Sequence, residues 1–378
     1  MRILHTSDWH VGKVFKGRSR AEEQIAVLAE IVELARAERP DLVIVAGDLY
    51  ENAAPTPEST RIVTRALSAL RRTGAAVVAI AGNHDNGAAL DALRPWAEAA
   101  GVTVRGTVRH AADHLVTGVT EGGEAWRCVA LPFLSQRYAV RATEMFDLTG
   151  AEANQTYADH LRRLLGVLTE SFEGADAVNL ITAHLTVVGA TLGGGEREAH
   201  SIQAYAVPGT LFPSSTHYVA LGHLHRRQAV AAPCPVHYSG SPIAIDFGEE
   251  ENTPAVLLVE VTADTPAKVR ELPLSAALPL RTVRGTVDEL AALDTSEAWL
   301  RVYVREKPRA GLREEVQELL PRALEVRIDP DMIPDTDAPR AKREGRSPRE
   351  LFAAYLEEKG HDDPGVRDLF DRLYAELS

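Results

Sequence analysis

The chain has 378 residues, of which 45% are hydrophobic and 25% charged, as in an ordinary globular protein with one large core and one or two smaller modules. The net charge of −13 argues against a freestanding nucleic-acid-binding protein, although a metal-lined cleft can be locally positive on an acidic chain. No apolar stretch approaches the roughly 20 residues that span a bilayer. Without a signal peptide at the N-terminus, we expect a cytoplasmic protein with Cys128 and Cys234 reduced, a disulfide being the alternative.

The first hundred residues alternate between apolar runs and amphipathic helices. A strand is predicted from the second residue, and further strands at Leu42 to Ala46 and Ala75 to Ala81. Helices are predicted at Arg20 to Arg39 and Ser59 to Arg72, the first with an apolar face that includes Ile25. This order predicts right-handed parallel crossovers with helices packed on a sheet.

After Gly101 the pattern changes to short β-like pieces separated by Gly and Thr. The segments Val102 to Val108, His114 to Val119 and Trp126 to Pro132 suggest antiparallel additions, and a long helix is predicted at Tyr157 to Phe172. Alternating segments between Ile243 and Leu272 predict a second sheet. The fold class is therefore α/β, a two-sheet αββα sandwich over residues 1–273.

The last hundred residues predict three further parts. Residues 274–332 read as a small α+β capping domain, whose first residues, Leu274 to Leu280, form the linker into it. Residues 333–346, rich in Pro, Asp, Arg and Lys, are typical of a tether. Residues 347–378 predict a two-helix tail whose apolar face needs a docking surface, on this chain or on a partner.

Five apolar runs end in metal-ligand or acid–base side chains. The eight polar residues at these ends are Asp8, His10, Asp48, Asn83, His84, His184, His223 and His225. A lone histidine at a strand end is more often structural than a ligand, but eight such groups at one sheet edge are hard to explain by core packing. Burying several imidazoles and carboxylates without a cation would be very costly, so a metal site is predicted.

Nitrogen and carboxylate ligands without thiolates favour Mn²⁺, Fe or Zn²⁺ over Mg²⁺ or Ca²⁺. The number of candidate ligands exceeds what one ion needs, which predicts two ions with Asp48 as the natural bridge. Asp8 and His10 are two apart on an extended segment, as are His223 and His225, so each pair can face one side. Two-metal sites of this kind act on phosphoryl groups.

These residues resemble the five motifs of the calcineurin-like metallophosphoesterases, which here read Asp8-Trp9-His10, Gly47-Asp48, Gly82-Asn83-His84-Asp85, His184 and Gly222-His223-Leu224-His225. Within that superfamily the details resemble the SbcD family, the nuclease subunits of bacterial SbcCD complexes. The details that carry this closer resemblance include His5-Thr6-Ser7-Asp8-Trp9-His10, Gly47-Asp48-Leu49-Tyr50, Gly222-His223-Leu224-His225 and Tyr238-Ser239-Gly240-Ser241-Pro242. The likeness extends over the nuclease domain, the capping domain and the helical tail.

The resemblance implies a role for each site residue. The first ion would be held by Asp8, His10 and His225, the second by Asn83, His184 and His223, and Asp48 would bridge them. His84 would stabilise the transition state or protonate the leaving oxygen, and Asp85 would orient His84. The family typically uses two Mn²⁺ ions, with Mg²⁺, Fe or Zn²⁺ as alternatives in vitro.

The resemblance also implies the substrate and the partners. The substrate would be the phosphodiester of DNA ends, hairpins and single strands, cut as exonuclease and endonuclease in repair and recombination. The chain would form a homodimer and act with an SMC-like ATPase bound by the tail. Because this chain contains no Walker A motif of its own, any dependence on ATP would come from that partner. Two other interpretations stay open: a phosphodiesterase for small substrates such as cyclic nucleotides, and a non-catalytic scaffold with this fold.

Four basic residues and one histidine outside the motifs have weaker interpretations. Lys13, Lys16, Arg18 and Arg20 follow the first motif without an intervening acid, and either contact DNA phosphates or belong to a solvated loop and helix start. His5 is interpreted as a core histidine on the first strand.

Overall fold

The computed structural model describes residues 1–135, 157–172, 176–194, 196, 206–293, 297–332, 348–358, 360 and 364–377. The chain divides into two compact units, Met1–Asp329 and Pro330–Ser378. Within the described residues, each helix is too short or too polar to cross a membrane. Cys128 and Cys234 are both buried and free, as predicted.

The N-terminal third builds most of a first sheet and its helical cover. Its elements are β1 (Arg2–Thr6), β2 (Val14–Phe15), β3 (Arg18–Ser19), α1 (Ala21–Glu38), β4 (Leu42–Val45), α2 (Pro57–Arg71), β5 (Ala76–Ile80), α3 (Gly87–Ala92), α4 (Arg94–Ala99) and β6 (Val102–Arg105). Strands β1, β4, β5 and β6 pair in parallel, and α1 and α2 cover the sheet's outer face. Thr56 caps α2 by accepting the Ser59 N–H, and Pro57 occupies the first helical turn, where its missing N–H costs nothing. The predicted place of Ile25 in the buried face of α1 is wrong, because its side chain is 49% exposed.

The middle of the chain builds a second sheet. Its elements are α5 (Ala111–His114), β7 (Leu115–Val119), β8 (Ala125–Leu131), α6 (Tyr157–Leu168), β9 (Ala177–His184), β10 (Thr186–Val187), β11 (Ala206–Val207), β12 (Tyr218–Gly222), β13 (Gln228–Val230) and β14 (Val236–Tyr238). The strand order is β13-β14-β12-β9-β8-β7, with β10 and β11 forming a separate pair. The apolar face of α6 packs on the outer side of this sheet.

Two long strands, β15 (Ala255–Thr262) and β16 (Thr265–Pro273), return to the first sheet, whose order is β16-β15-β1-β4-β5-β6. The two sheets face each other across a core to which both contribute apolar side chains, among them Ile3, Ile44, Val78, Cys128, Leu180 and Ala220. With helices outside both sheets, the predicted αββα sandwich is confirmed.

Two predictions about strand pairing are wrong. The segments between Ile243 and Leu272 do not form the second sheet, because β15 pairs antiparallel with β1 and residues 243–245 are not a strand. The predicted antiparallel additions after Gly101 are also wrong for β6 and β8, which lie parallel to β5 and β9; only β7 is antiparallel. The alternation of apolar and polar residues along a strand predicts which of its faces is buried. It does not predict the neighbouring strand, which depends on the sheet edge that is free to pair.

A third, smaller sheet follows. Its elements are β17 (Leu280–Gly285), α7 (Val287–Ala291), β18 (Trp299–Val304), α8 (Leu312–Leu319) and β19 (Ala323–Ile328). The three strands are parallel and share a core with both helices, including Leu290, Val302 and Val316. The predicted strands and helices of this α+β part are confirmed, while its predicted boundaries at 274 and 332 stay a prediction.

The second unit contains the helical tail, α9 (Pro348–Glu358) and α10 (Pro364–Leu377). The rings of Phe352 and Phe370 stack between the two helices with centroids 4.1 Å apart. The two predicted helices are therefore confirmed. The predicted tether at 333–346 lies outside the described residues.

Candidate metal centre

Parallel strands from both sheets end at one edge of the sandwich and deliver the predicted site residues there. Asp8 and His10 follow β1, Asp48 follows β4, and Asn83 and His84 follow β5. On the second sheet, His184 ends β9, and His223 and His225 follow β12. Because the carboxyl ends of parallel strands meet at the same edge, residues far apart in sequence become neighbours.

Ligand atoms of three overlapping sets lie within 4.8 Å of one another, namely Asp8, His10 and His225; His10, Asp48 and His84; and Asp8, Asp48 and His184. A further group forms around Asn83, whose Oδ1 lies 2.9 Å from His184 Nε2 and 2.8 Å from His223 Nδ1. Asp48 Oδ2 lies 3.7 Å from His10 Nε2 and 3.4 Å from His184 Nε2, and so sits between the two groups. The predicted role of Asp48 as a bridging ligand stays a prediction.

The arrangement of His10 and His225 fits a divalent cation. Their Nε2 atoms face each other at 3.1 Å. Each ring turns its other nitrogen toward a carboxylate, with His225 Nδ1 2.6 Å from Glu249 and His10 Nδ1 3.0 Å from Glu51. An imidazole with Nδ1–H turned to a carboxylate presents a lone pair at Nε2, and a carboxylate behind a histidine is the usual support of a metal ligand. Without a metal one Nε2–H can donate to the other Nε2, whereas with both Nε2 atoms deprotonated the two imidazoles form a donor set that suits a transition metal.

The backbone of the site is held in an uncommon conformation. Asp8, His10, Asp48 and His223 have φ of 53°, 46°, 51° and 102°, in the left-handed region that residues with a Cβ rarely adopt. Backbone strain of this kind costs about 1–3 kcal/mol per residue and persists where the surroundings impose it. Here the Asp8 N–H donates to Gly47 O at 3.0 Å and the His10 N–H to Asp48 O at 3.0 Å, which stabilises the turns that direct both side chains into the site.

Two glycines permit the close approach of the site loops. A Cβ on Gly82 would lie 2.1 Å from Asp48 Oδ1, and a Cβ on Gly222 would lie 2.0 Å from the Ala46 carbonyl oxygen. The Ala46 carbonyl also lies 2.8 Å from His184 Nδ1 and so orients that ring. Any side chain at either glycine would displace Asp48 or the Ala46 carbonyl that contacts His184.

The buried carboxylates and imidazoles of the site shift one another's pKa values even without a metal. Burial raises the pKa of Asp8 to about 6. Burial also disfavours the imidazolium forms of two histidines, but neighbouring carboxylates outweigh it: Asp48 raises the pKa of His184 to about 9, and Glu249 raises that of His225 to about 10. Burial acts against the Asp48 carboxylate as well, yet the His184 charge holds the pKa of Asp48 well below its usual value. A cation bound here would therefore displace protons from imidazoles.

His84 and Asp85 lie in the loop after β5. The His84 N–H donates to Asp48 Oδ1 at 2.8 Å, and its ring Nδ1 lies 2.8 Å from the Glu51 carbonyl oxygen. Asp85 accepts backbone N–H groups from Gly82, Leu49 and Tyr50 at 2.8, 3.1 and 2.9 Å and so joins the loops after β4 and β5. Its predicted role in orienting His84 stays a prediction.

Three glutamates support the site without having been predicted. Glu51 and Glu249 face His10 and His225, and Glu196 Oε1 accepts the His225 N–H at 2.9 Å. Glu51 directly follows Gly47-Asp48-Leu49-Tyr50, which is a usable signal. Glu249 stands in a run of three glutamates that reads as a solvated surface, so nothing in the sequence distinguishes it.

The residues outside the motifs have definite surroundings. His5 is a core histidine as predicted: it contacts Tyr218 and the Leu221 carbonyl, and burial lowers its pKa to about 3. Arg20 lies at the start of α1 as predicted, but it is neither solvated nor placed to contact DNA phosphates, since its side chain is 2% exposed and donates to the Ala244 and Leu278 carbonyls.

The other three cations of that group also have partners. Lys13 pairs with Glu51, Lys16 lies 3.7 Å from Glu325, and Arg18 stacks over Trp299. Their charges are therefore partly used within the protein.

The fold and the site define a calcineurin-like phosphoesterase. Residues 1–160 match the family model of that description, and residues 277–360 match the model described as the type 5 capsule protein repressor C-terminal domain. The SbcD subunit of the SbcCD nuclease of Bacillus subtilis is 33% identical over 324 residues, which cover 83% of this chain and 81% of the relative. Its counterpart in Escherichia coli K12 is 32% identical, covering 77% and 73%, and that of Rhodobacter capsulatus is 33% identical, covering 82% and 78%. The chain belongs to the SbcD family.

Proposed function

We propose that this chain is the hydrolytic component of an SbcCD-type nuclease, cleaving DNA phosphodiester bonds in repair and recombination with two divalent ions. The observation that carries the proposal is the pair of Nε2 atoms of His10 and His225, 3.1 Å apart and backed by carboxylates, in a chain that belongs to this family. A non-catalytic relative would have no reason to keep two buried imidazoles in this arrangement.

The residues at the site divide between two ions. Asp8, His10 and His225 would hold the first, Asn83, His184 and His223 the second, and Asp48 both. Manganese is the ion that we propose. When bound, such ions supply Lewis-acid stabilisation of a phosphoryl group and a water acidic enough to react near neutral pH.

His84 is proposed to act on the substrate directly. Its side chain is buried beside His10, with ring centroids 4.6 Å apart and nearly perpendicular. The Glu51 carbonyl 2.8 Å from Nδ1 accepts the proton of that nitrogen and fixes the ring. Its Nε2 is proposed to act on the leaving oxygen or on a phosphate oxygen. Asp85 is proposed to stabilise this loop through its three backbone contacts.

The assembly is also part of the proposal. The partner would be an SbcC-like SMC ATPase, bound by the tail, where Tyr355, Val366 and Leu369 are 52%, 40% and 49% exposed. Exposed apolar side chains on a two-helix unit support a docking surface. A homodimer is supported by the groove of about 470 Å³ between α1 and α2, which exposed Ile25 lines.

The test uses a labelled DNA hairpin and a small chromogenic phosphodiester, each with Mn²⁺, Mg²⁺ or no metal. Metal-dependent cleavage of the hairpin is expected, and His84→Ala should lower it by about 10²–10⁴-fold while both metals stay bound. His110→Ala is the matched control, because His110 is exposed and its side chain does not cap α5. Loss of metal in His84→Ala would contradict the role of His84. Hairpin DNA that stayed intact even with the ATPase present would contradict the substrate.

A further inference from the structure

A short turn lies between the metal centre and the third sheet. Residues Phe247–Glu249 form a 3-10 helix that Asp246 caps by accepting the Gly248 N–H at 2.8 Å. Glu250 follows directly. The four residues from Phe247 to Glu250, here called the 247–250 turn, contact a proposed metal ligand on one side and the β17–β19 sheet on the other.

On the side of the metal centre the turn presents Glu249. Its side chain is 1% exposed, and one carboxylate oxygen lies 2.6 Å from His225 Nδ1. The other oxygen accepts the Ile245 N–H at 2.8 Å. Burying a carboxylate is costly unless its oxygens have partners, and here both have one. The position of the His225 ring therefore depends on the position of the turn.

On the opposite side the turn is held by all three strands of the small sheet. Phe247 packs with Leu280 of β17 and Leu324 of β19, and the Arg301 guanidinium of β18 lies 4.4 Å from the Phe247 ring centroid. Glu250 accepts the backbone N–H of Thr282 at 2.7 Å and the Thr282 hydroxyl at 2.5 Å.

We propose that the 247–250 turn is a positioning element through which the docking of the β17–β19 sheet sets the metal affinity of His225. Glu249 holds the imidazole, and Phe247 and Glu250 hold the turn against the sheet. Metal–ligand distances tolerate changes of only about 0.2 Å, so a turn released from the sheet weakens binding without contacting the ion. The inference rests on the proposed function only in taking His225 as a ligand.

The first test measures Mn²⁺ binding to the full chain by calorimetry after stripping with EDTA. In Glu249→Gln the single amide oxygen cannot serve both His225 and Ile245, and the dissociation constant is expected to rise about 10–100-fold. Glu251→Gln is the matched control, because it removes the same charge from an exposed neighbour and should leave affinity unchanged. The absorption spectrum of bound Co²⁺ should change in Glu249→Gln but not in Glu251→Gln, a difference that a merely structural role would not predict.

Wild-type affinity in a folded Glu249→Gln protein would overturn the proposal. Should that variant fail to fold, as judged by melting in EDTA, Glu249→Asp replaces it; this variant keeps the charge, withdraws the carboxylate from His225, and should weaken binding in the same direction. Because these measurements involve no DNA, failure of nuclease activity would leave their outcome unaffected.

The second test asks whether the sheet acts through Glu249. Glu250→Ala removes both contacts with Thr282 and is expected to weaken Mn²⁺ binding several-fold, whereas the charge-matched Glu251→Ala should not. In the double variant with Glu249→Gln, the affinity should equal that of Glu249→Gln alone, because both changes interrupt one path. Losses that multiply, or no loss in Glu250→Ala, would refute transmission from the sheet.

Discussion

Replacing Gly222 by alanine tests whether the metal centre depends on the approach of the two sheets. Gly222 ends β12 directly before His223, and a Cβ there would lie 2.0 Å from the Ala46 carbonyl oxygen of the first sheet. Carbon and carbonyl oxygen ordinarily meet at about 3.3 Å, so the chains must separate by about 1.3 Å. Ala46 O also orients His184, and the same Cβ would lie 2.9 Å from His184 Nδ1.

A shift of that size exceeds the tolerance of about 0.2 Å for metal–ligand distances several-fold. We therefore expect Gly222→Ala to lose at least about 10-fold in Mn²⁺ affinity, and overpacking to lower the free energy of unfolding by about 1–3 kcal/mol. Calorimetric titration and denaturant unfolding in EDTA measure the two effects separately.

The matched control is Gly166→Ala in α6, where an added Cβ meets nothing within 4 Å. It should raise the free energy of unfolding by about 0.5–1 kcal/mol through helix propensity and leave metal binding unchanged. Wild-type Mn²⁺ affinity in Gly222→Ala would refute the reasoning, because it would mean that the sheets separate without moving the ligands.

Three further predictions concern stability and assembly. The folded pKa of His5, about 3, lies below its unfolded value of about 6.5, so its contribution to stability is complete above pH 6.5 and is lost as the pH falls toward 3. Wild type should therefore lose about 2 kcal/mol more than His5→Gln between pH 7 and pH 5 in denaturant unfolding, and parallel pH profiles would contradict this. EDTA should lower the melting temperature, since an ion at 100 times its Kd contributes about 2.7 kcal/mol per site; an unchanged melting temperature would argue against bound metal. Deleting residues 347–378 should leave the isolated chain active but unable to co-purify with its ATPase, and retained co-purification would exclude the tail as the docking site.

Most of the candidate site was predictable because its proposed ligands follow a local rule. A buried parallel strand is a continuous apolar run, and side chains just beyond its end reach one edge of the sheet. Asp48, His84 and His184 could therefore be assigned from apolar runs that end in polar residues. The helices α1 and α2 were predictable for a similar reason, since a recurring apolar face and a terminal Pro or Gly are local features.

The pairing of strands could not be read in the same way. Nothing in Ala255–Thr262 distinguishes a strand that extends the first sheet from one that begins a second. The choice depends on the free edge of β1, more than two hundred residues earlier in the chain. Exposure of Ile25 likewise depends on where α2 lies against α1 and not on helical periodicity.

By itself the sequence determined the layered α/β architecture and the proposed ligand set, because each is recorded in short stretches of chain. Only the tertiary structure decided that Glu249 faces His225, that Glu51 faces His10 and that Arg20 is buried. A carboxylate or guanidinium has the same local pattern on a solvated surface and in a buried pair. Its role depends on the group across from it, which only the folded chain brings within reach.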